Sequence, residues 1–235
     1  VALIALALML TAPPIVQPPV VRPPMPILRV PPSSRMSFDI DAQRYGMPVP
    51  AGYCTARNLP SVYTEDEVNE AGVILSKLAF VFLCEMNDQG ANDQDFIYVK
   101  YIKNYRPNVT DRTEFIRASA AKFAHPEYVR QRETREFVDD IARRAERDTG
   151  EKVDADISGV GLGHDDICIY TGSRIAIAAT ASGKETRILA VTCTTMINGR
   201  IVTADIASRA DRGLDFDALI SQLKQVVETI EPEHS

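Results

Sequence analysis

The residues from Asp165 to Arg209, DDICIYTGSRIAIAATASGKETRILAVTCTTMINGRIVTADIASR, carry the most legible hydrophobic and polar pattern in the chain. Apolar and β-branched residues run through it in short stretches, broken at Thr171-Gly172-Ser173, at Ser182-Gly183-Lys184 and at Asn198-Gly199. An Asn-Gly pair between two β-branched runs predicts a tight hairpin, because both central positions of a type I′ turn need positive φ. The strands beside it are therefore expected to be antiparallel, and the whole stretch to form a sheet.

Helical spacing appears on either side of that sheet. Thr64 followed by Glu67 has the form of a capping box. Val68, Ala71, Ile74, Leu75 and Leu78 recur behind it at helical intervals, which predicts a helix to about Leu78. Ala79 to Cys84 then reads as a buried strand. With a short strand around Cys54, the segment from Gly52 to Cys84 is expected to be strand, helix, strand, its two strands set parallel by a right-handed crossover. Phe96 to Ile102 alternates as a further strand. Asp111 with Glu114 opens a helix carrying Phe115, Ile116, Ala120 and Phe123, and Pro126 opens another that runs to about Asp148 and stops at Gly150. The latter has a thin apolar stripe at Val129, Phe137, Val138, Ile141 and Ala145 on an otherwise charged, solvated surface. Asp215 caps a last helix, whose Phe216, Leu219, Ile220, Leu223, Val226, Val227 and Ile230 form a strong stripe suited to lying across the sheet. The expected fold class is α+β: a mainly antiparallel β-sheet flanked by helices, with one strand-helix-strand unit near the N-terminus and a C-terminal helix packed on the sheet.

Composition changes the picture at the N-terminus. Val1 to Ala12, VALIALALMLTA, is uncharged, too short to span a bilayer, and of the length of a signal-peptide h-region, so residues 1–12 are read as a truncated secretory signal. Residues 13–32 hold nine of the 15 prolines, so 13–35 is expected to be an extended polyproline II linker, a stalk in preference to a ligand for an SH3-like or WW-like partner. Residues 36–235 remain as a single α+β domain with a helical charged segment over 111–150. The formal net charge is -6, and Arg22, Arg29 and Arg35 are the only charges in the first 35 residues, so the domain itself is more acidic still. That balance argues against nucleic acid as a partner, since a general binder needs a basic footprint.

Four cysteines in an exported chain allow three pairings of all four. Cys54 and Cys84 fall on strands expected to be neighbours, and a bridge between them would contribute on the order of 3 kcal/mol. Placing the hairpin tip at Gly183-Lys184 sets Cys193 opposite Arg174, six residues from Cys168. At about 3.3 Å per residue this exceeds the roughly 7 Å Cα limit for a bridge. Cys54 and Cys84 are therefore expected to pair, and Cys168 and Cys193 to stay unbridged.

The search for chemistry returns one cluster. Gly159 to Gly163 lacks the spacing of a phosphate-binding loop and reads as a flexible turn. There is no nucleophile elbow, and Asp165 and Asp166 would oppose thiolate formation at Cys168. Asn108-Val109-Thr110 matches a glycosylation acceptor of high chance frequency. His164-Asp165-Asp166 gathers possible metal ligands or an acid/base pair, but His125 and His234 are distant and no Cys-x-x-Cys or His-x-x-x-His accompanies it. No catalytic, cofactor-binding or metal-ligating residue is assigned, and no cofactor is expected.

Val49-Pro50-Ala51-Gly52-Tyr53-Cys54, the second Cys at Cys84, Asp165-Asp166-Ile167-Cys168-Ile169-Tyr170 and Met196-Ile197-Asn198-Gly199-Arg200-Ile201-Val202 resemble segments of uncharacterised exported proteins of Gram-negative bacteria. The element order is similar to that of PsbP-like α/β domains. The resemblance covers roughly residues 37–231, brings no catalytic residues with it, and implies a periplasmic or secreted protein with a binding or accessory role toward an envelope protein or a small ligand. Two alternatives stand beside that expectation. One is a small periplasmic enzyme using His164, Asp165 and Asp166. The other is an interaction module tethered to the membrane through an uncleaved leader.

Overall fold

A computed structural model describes residues 35–55, 65–68, 72–84, 95–123 and 150–233, with Val138, Asp139, Ala142, Arg143 and Glu146 between the last two. The segment expected to be a leader, the proline-rich stretch up to residue 34, Thr64, Ala71 and most of the helix expected from Pro126 lie outside these residues. Strands β1 (Arg35–Ile40), β2 (Gln43–Pro48) and β11 (Glu231–Pro232) form a three-stranded sheet. The larger, eight-stranded sheet runs in the order β3 (Tyr53–Thr55), β5 (Ile74–Leu83), β6 (Phe96–Ile102), β10 (Arg200–Arg209), β9 (Glu185–Ile197), β8 (Ile169–Ala179), β7 (Val153–His164), with β4 (Glu67–Val68) paired to β5. Every strand pairing among the described residues is antiparallel. Among the described residues the sheets are accompanied by the helices α1 (Arg112–Phe123) and α2 (Phe216–Glu228), a 3-10 turn at Ala210–Arg212, and the helical positions between 138 and 146.

The architecture is thus β-rich, and the balanced α+β class with a strand-helix-strand unit is overturned. Where the capping box predicted a helix, Glu67 and Val68 instead pair with Leu75 and Ile74, and Gly72, just before β5, sits at φ 74°. The residues from Ile74 to Leu83 form one ten-residue strand, and β3 meets it antiparallel, Tyr53 opposite Leu83. The physical reason is that Val68, Ile74, Leu75 and Leu78 satisfy a helical and an extended template alike. Apolar runs this short are decided by the long-range partner, here Phe96–Ile102, and not by local spacing. Gly72, inside the would-be helix, is the local breaker.

The hairpin between β9 and β10 forms as the pattern requires, with Asn198 at φ 53°, Gly199 at φ 67° and Ile197 opposite Arg200. The chain also turns at Ser182-Gly183-Lys184, between β8 and β9, but two other glycine-containing stretches do not break the sheet. β8 runs unbroken through Thr171-Gly172-Ser173, and Gly159 to Gly163 belongs to β7, paired along β8 with a bulge between Gly161 and Gly163 instead of forming a turn. Gly172 serves packing: a Cβ there would lie 2.7 Å from Leu162 Cδ1 and 3.0 Å from Phe216 Cε1. Gly172→Val is accordingly expected to destabilise the domain by about 1–3 kcal/mol, read as a lower urea midpoint at unchanged slope, because the N-terminal end of α2 must lift to admit the side chain.

The two faces of the large sheet are covered differently. On one, Leu219, Leu223 and Val227 of α2 pack with Val191, Cys193, Val202, Ala204 and Ile206, and the smaller sheet adds Phe38, Ile40, Tyr45 and Met47 to the same core. Each fully buried Leu, Ile, Val or Met among them contributes about 1.5–3 kcal/mol. α2 starts where expected, the Ala218 amide donating to Asp215 Oδ1 at 2.9 Å. On the opposite face α1, begun by the Glu114 amide donating to Asp111 Oδ1, buries Phe115 and Ile116 against Ile169 and Met196. Of the expected third helix, the five described positions are helical, and the Gly150 amide donates to Glu146 O where Gly150 turns at φ 68°. No helix among the described residues is long and apolar enough to cross a membrane.

Candidate functional site

His164, Asp165 and Asp166 do not assemble a reactive group. His164 ends β7 exposed, and Asp166 is exposed beyond it, 3.7 Å from Lys224 Nζ. Asp165 alone turns inward. Its Oδ1 accepts the amides of Ile167 at 2.8 Å and Cys168 at 2.9 Å, while its Oδ2 accepts the Tyr170 hydroxyl at 3.0 Å and Lys224 Nζ at 2.8 Å. Burial works to raise the Asp165 carboxyl, but Lys224, the two amides and the tyrosine outweigh it and hold the group below the usual carboxylate range. The same contacts push the Tyr170 phenol up, burial first and the Asp165 charge next. A carboxylate committed to four donors has little basicity left for proton transfer. Its role is to tie the turn after β7 to α2. No group of three candidate metal ligands occurs among the described residues, and His125 and His234 lie outside them.

Cys168 is bridged to Cys193, with Cα atoms 5.3 Å apart, which corrects the expectation that both stay unbridged. The error lies in the loop between β8 and β9. Ala178 pairs with Glu185, the Ala179 amide donates to Lys184 O, and the Gly183 amide donates back to Ala179 O, so four residues form the tip instead of two. Gly183 takes φ 67° to close that turn. The tip is also centred two residues earlier in the chain, which shifts the register by four, moving Tyr170 opposite Cys193 and bringing Cys168 within reach. Cys54 and Cys84 are bridged at a Cα separation of 5.2 Å, although across antiparallel strands and not parallel ones. Two disulfides suit an oxidising, extracytoplasmic setting.

Several charged groups that carry no sequence motif are placed by tertiary contact. Arg200, just after the Asn-Gly turn, forks onto Asp41 at 2.7 and 2.8 Å and also donates to the carbonyls of Lys103 and Tyr105. Arg106 reaches the same carboxylate at 2.8 Å. Asp95, buried at the start of β6, accepts the Ser208 hydroxyl at 2.7 Å and the Arg209 amide at 3.1 Å, with Arg212 Nε 3.8 Å away. Nearby Tyr53 is pushed up to about 12 by burial and then by the Asp95 charge. The only local signal for any of these is Asp41 itself, a turn residue at φ 55°.

The arrangement best suited to contact lies across the α1 face of the large sheet. Strand register aligns Lys100, Thr203 and Thr194 in one row and Tyr98, Asp205, Thr192 and Thr171 in the next. Lys100 Nζ lies 2.7 Å from Asp205 Oδ2 and 5.1 Å from the centroid of the Tyr98 ring, and the Thr192 hydroxyl donates to Asp205 Oδ1 at 2.6 Å. Burial disfavours the charge on Lys100, but Asp205 overcomes it, so the ammonium is held above its ordinary range. Thr171, Ser173, Thr194 and Thr203 make no side-chain hydrogen bond among the described residues. Alongside the band, Ala207, Ala190 and Ser173 supply a row of small side chains. Its borders are apolar: Phe80, Phe82 and Phe96 on one side, Ile175 and Ile188 on another, Ile169 and Met196 beneath α1. Both charged side chains remain 20% exposed. The band thus sets matched donors and acceptors beside an aromatic ring. No protein-family model matches the chain, and no curated protein matches it.

Proposed function

We propose that the chain is an exported, non-catalytic binding or accessory protein of the bacterial envelope, periplasmic or secreted, whose contact surface includes the polar band around Lys100 and Asp205. The observation that carries this reading is the placement of a solvent-reached ion pair among unspent hydroxyls on a face that is otherwise apolar. A largely buried pair adds little net stability over apolar residues of similar volume, so the fold alone gives no reason to keep one there. A partner bringing complementary polar groups does. The pair is neutral as a unit, which favours a neutral hydrogen-bonding surface or ligand over a polyanion. Saturation of Asp165 speaks against the enzyme reading, and the apolar leader, the proline arm and the two disulfides support the compartment.

Lys100→Met with Asp205→Leu tests the reading, since replacing both partners by apolar residues of similar volume is expected to leave melting within about 1 kcal/mol of the parent. Chemical cross-linking in envelope extract should give a discrete adduct with the parent protein and none with this double variant. An adduct of equal yield from both would remove the polar band from the contact surface. No adduct from either would remove the binding reading itself.

A further inference from the structure

The two bridges differ in what surrounds them. Both join cysteines that follow one another along the chain, Cys54 with Cys84 and Cys168 with Cys193, at separations of 30 and 25 residues. Cys168 and Cys193 are both 0% exposed and sit in the main core with Leu219 and Leu223 of α2. That helix is the last one in the chain order, so the core over this bridge closes only when residues 216–228 are present to dock. Cys54–Cys84 lies in the aromatic cluster on the opposite face, joined to the edge strand β3, and Cys84 beyond the end of β5 is only partly buried.

We infer that the protein is a client of a dithiol-oxidising catalyst that installs Cys168–Cys193 before α2 docks, that Cys54–Cys84 stays open to exchange in the folded domain, and that no disulfide isomerase is needed. Exchange requires a thiolate to approach a sulfur in line, which a fully enclosed bridge forbids without opening of the fold. In each oxidation one cysteine thiolate attacks the disulfide of the oxidant, forming a mixed disulfide and releasing one oxidant thiolate. The second cysteine thiolate attacks the protein sulfur of that mixed bond, closing the bridge and releasing the other. Two electrons pass from the cysteine pair to the oxidant disulfide, which leaves as a dithiol, and the two cysteine protons end on that dithiol or in solvent. Pairing of consecutive cysteines removes the need for rearrangement, since the native loops, at separations of 30 and 25 residues, are shorter than any non-native one and close more readily even with all four thiols present.

Native-state reduction of the purified protein by dithiothreitol, with thiols alkylated and mapped over time, tests the accessibility claim. Cys54–Cys84 should open at least ten times faster than Cys168–Cys193, with a rate proportional to dithiothreitol and insensitive to low urea. Cys168–Cys193 should open only with the urea dependence of global unfolding. Equal rates without urea, or Cys168–Cys193 opening first, would overturn the assignment. Reoxidation of the reduced, unfolded protein by glutathione disulfide gives the second readout. The 168–193 bridge should appear before native near-ultraviolet dichroism, and added disulfide isomerase should change the recovery rate less than twofold. A fivefold or greater acceleration, or bridge closure only after native dichroism returns, would sink the ordering.

Discussion

Arg200→Ala is expected to lower the stability of the domain by about 3 kcal/mol, the low end of what removing one member of a buried, hydrogen-bonded ion pair costs. The Arg200 side chain is 10% exposed and fastens three separate segments. Its fork holds Asp41 in the turn between β1 and β2, and its remaining N–H groups hold the carbonyls of Lys103 and Tyr105 after β6. Removing it leaves those carbonyls without their donor and detaches the small sheet from the end of the large one. Asp41→Ala should cost less, about 1–2 kcal/mol, because the two carbonyls keep their arginine. Arg200→Lys should recover only part of the loss, since an ammonium cannot make the planar two-point contact. Urea unfolding of the two single variants and the double variant measures the coupling. Additive losses would show that the clasp does not join the layers.

Asp165→Ala is expected to cost about 3 kcal/mol, whereas His164→Ala and Asp166→Ala should each stay within about 0.5 kcal/mol. The contrast follows from geometry: Asp165 receives four donors, and its two neighbours face solvent. The pH dependence has a definite sign. Asp165 is held below the carboxyl range of the unfolded chain, so its stabilisation is fully present above the unfolded value of about 4 and is lost as pH falls through the folded one. Asp41, lowered chiefly by its hydrogen bonds to Arg200, acts in the same direction. Melting temperature should therefore be level near neutrality and fall below about pH 4. Asp165→Asn should flatten that fall. An acid transition of unchanged steepness in this variant would show that Asp165 does not carry it.

Local pattern succeeded where a residue type answers a local requirement. Asn198-Gly199 meets the positive φ of its turn, Asp111 and Asp215 cap the helices they precede, and the α2 stripe buries as spaced. It failed at Glu67 to Leu78, where one set of apolar residues fits either periodicity and pairing with β6 decides. It failed again at Gly172, whose purpose is the approach of Phe216 from 44 residues onward and not a turn. The polar band was invisible for a further reason. Lys100, Asp205, Thr192 and Thr171 lie on four different strands, and only antiparallel register sets them side by side.

Steric demands and short-range hydrogen bonding, which act within a few residues, made the hairpin, the two capped helices and most central strands readable from the chain itself. Tertiary structure alone decided where along the chain the β8–β9 loop is centred, hence which residue faces Cys193, and which distant carboxylate each buried arginine or lysine meets. A four-residue slip in a loop alters no local preference yet moves every cross-strand neighbour, so those partnerships are set by the packing of the whole sheet against α1 and α2.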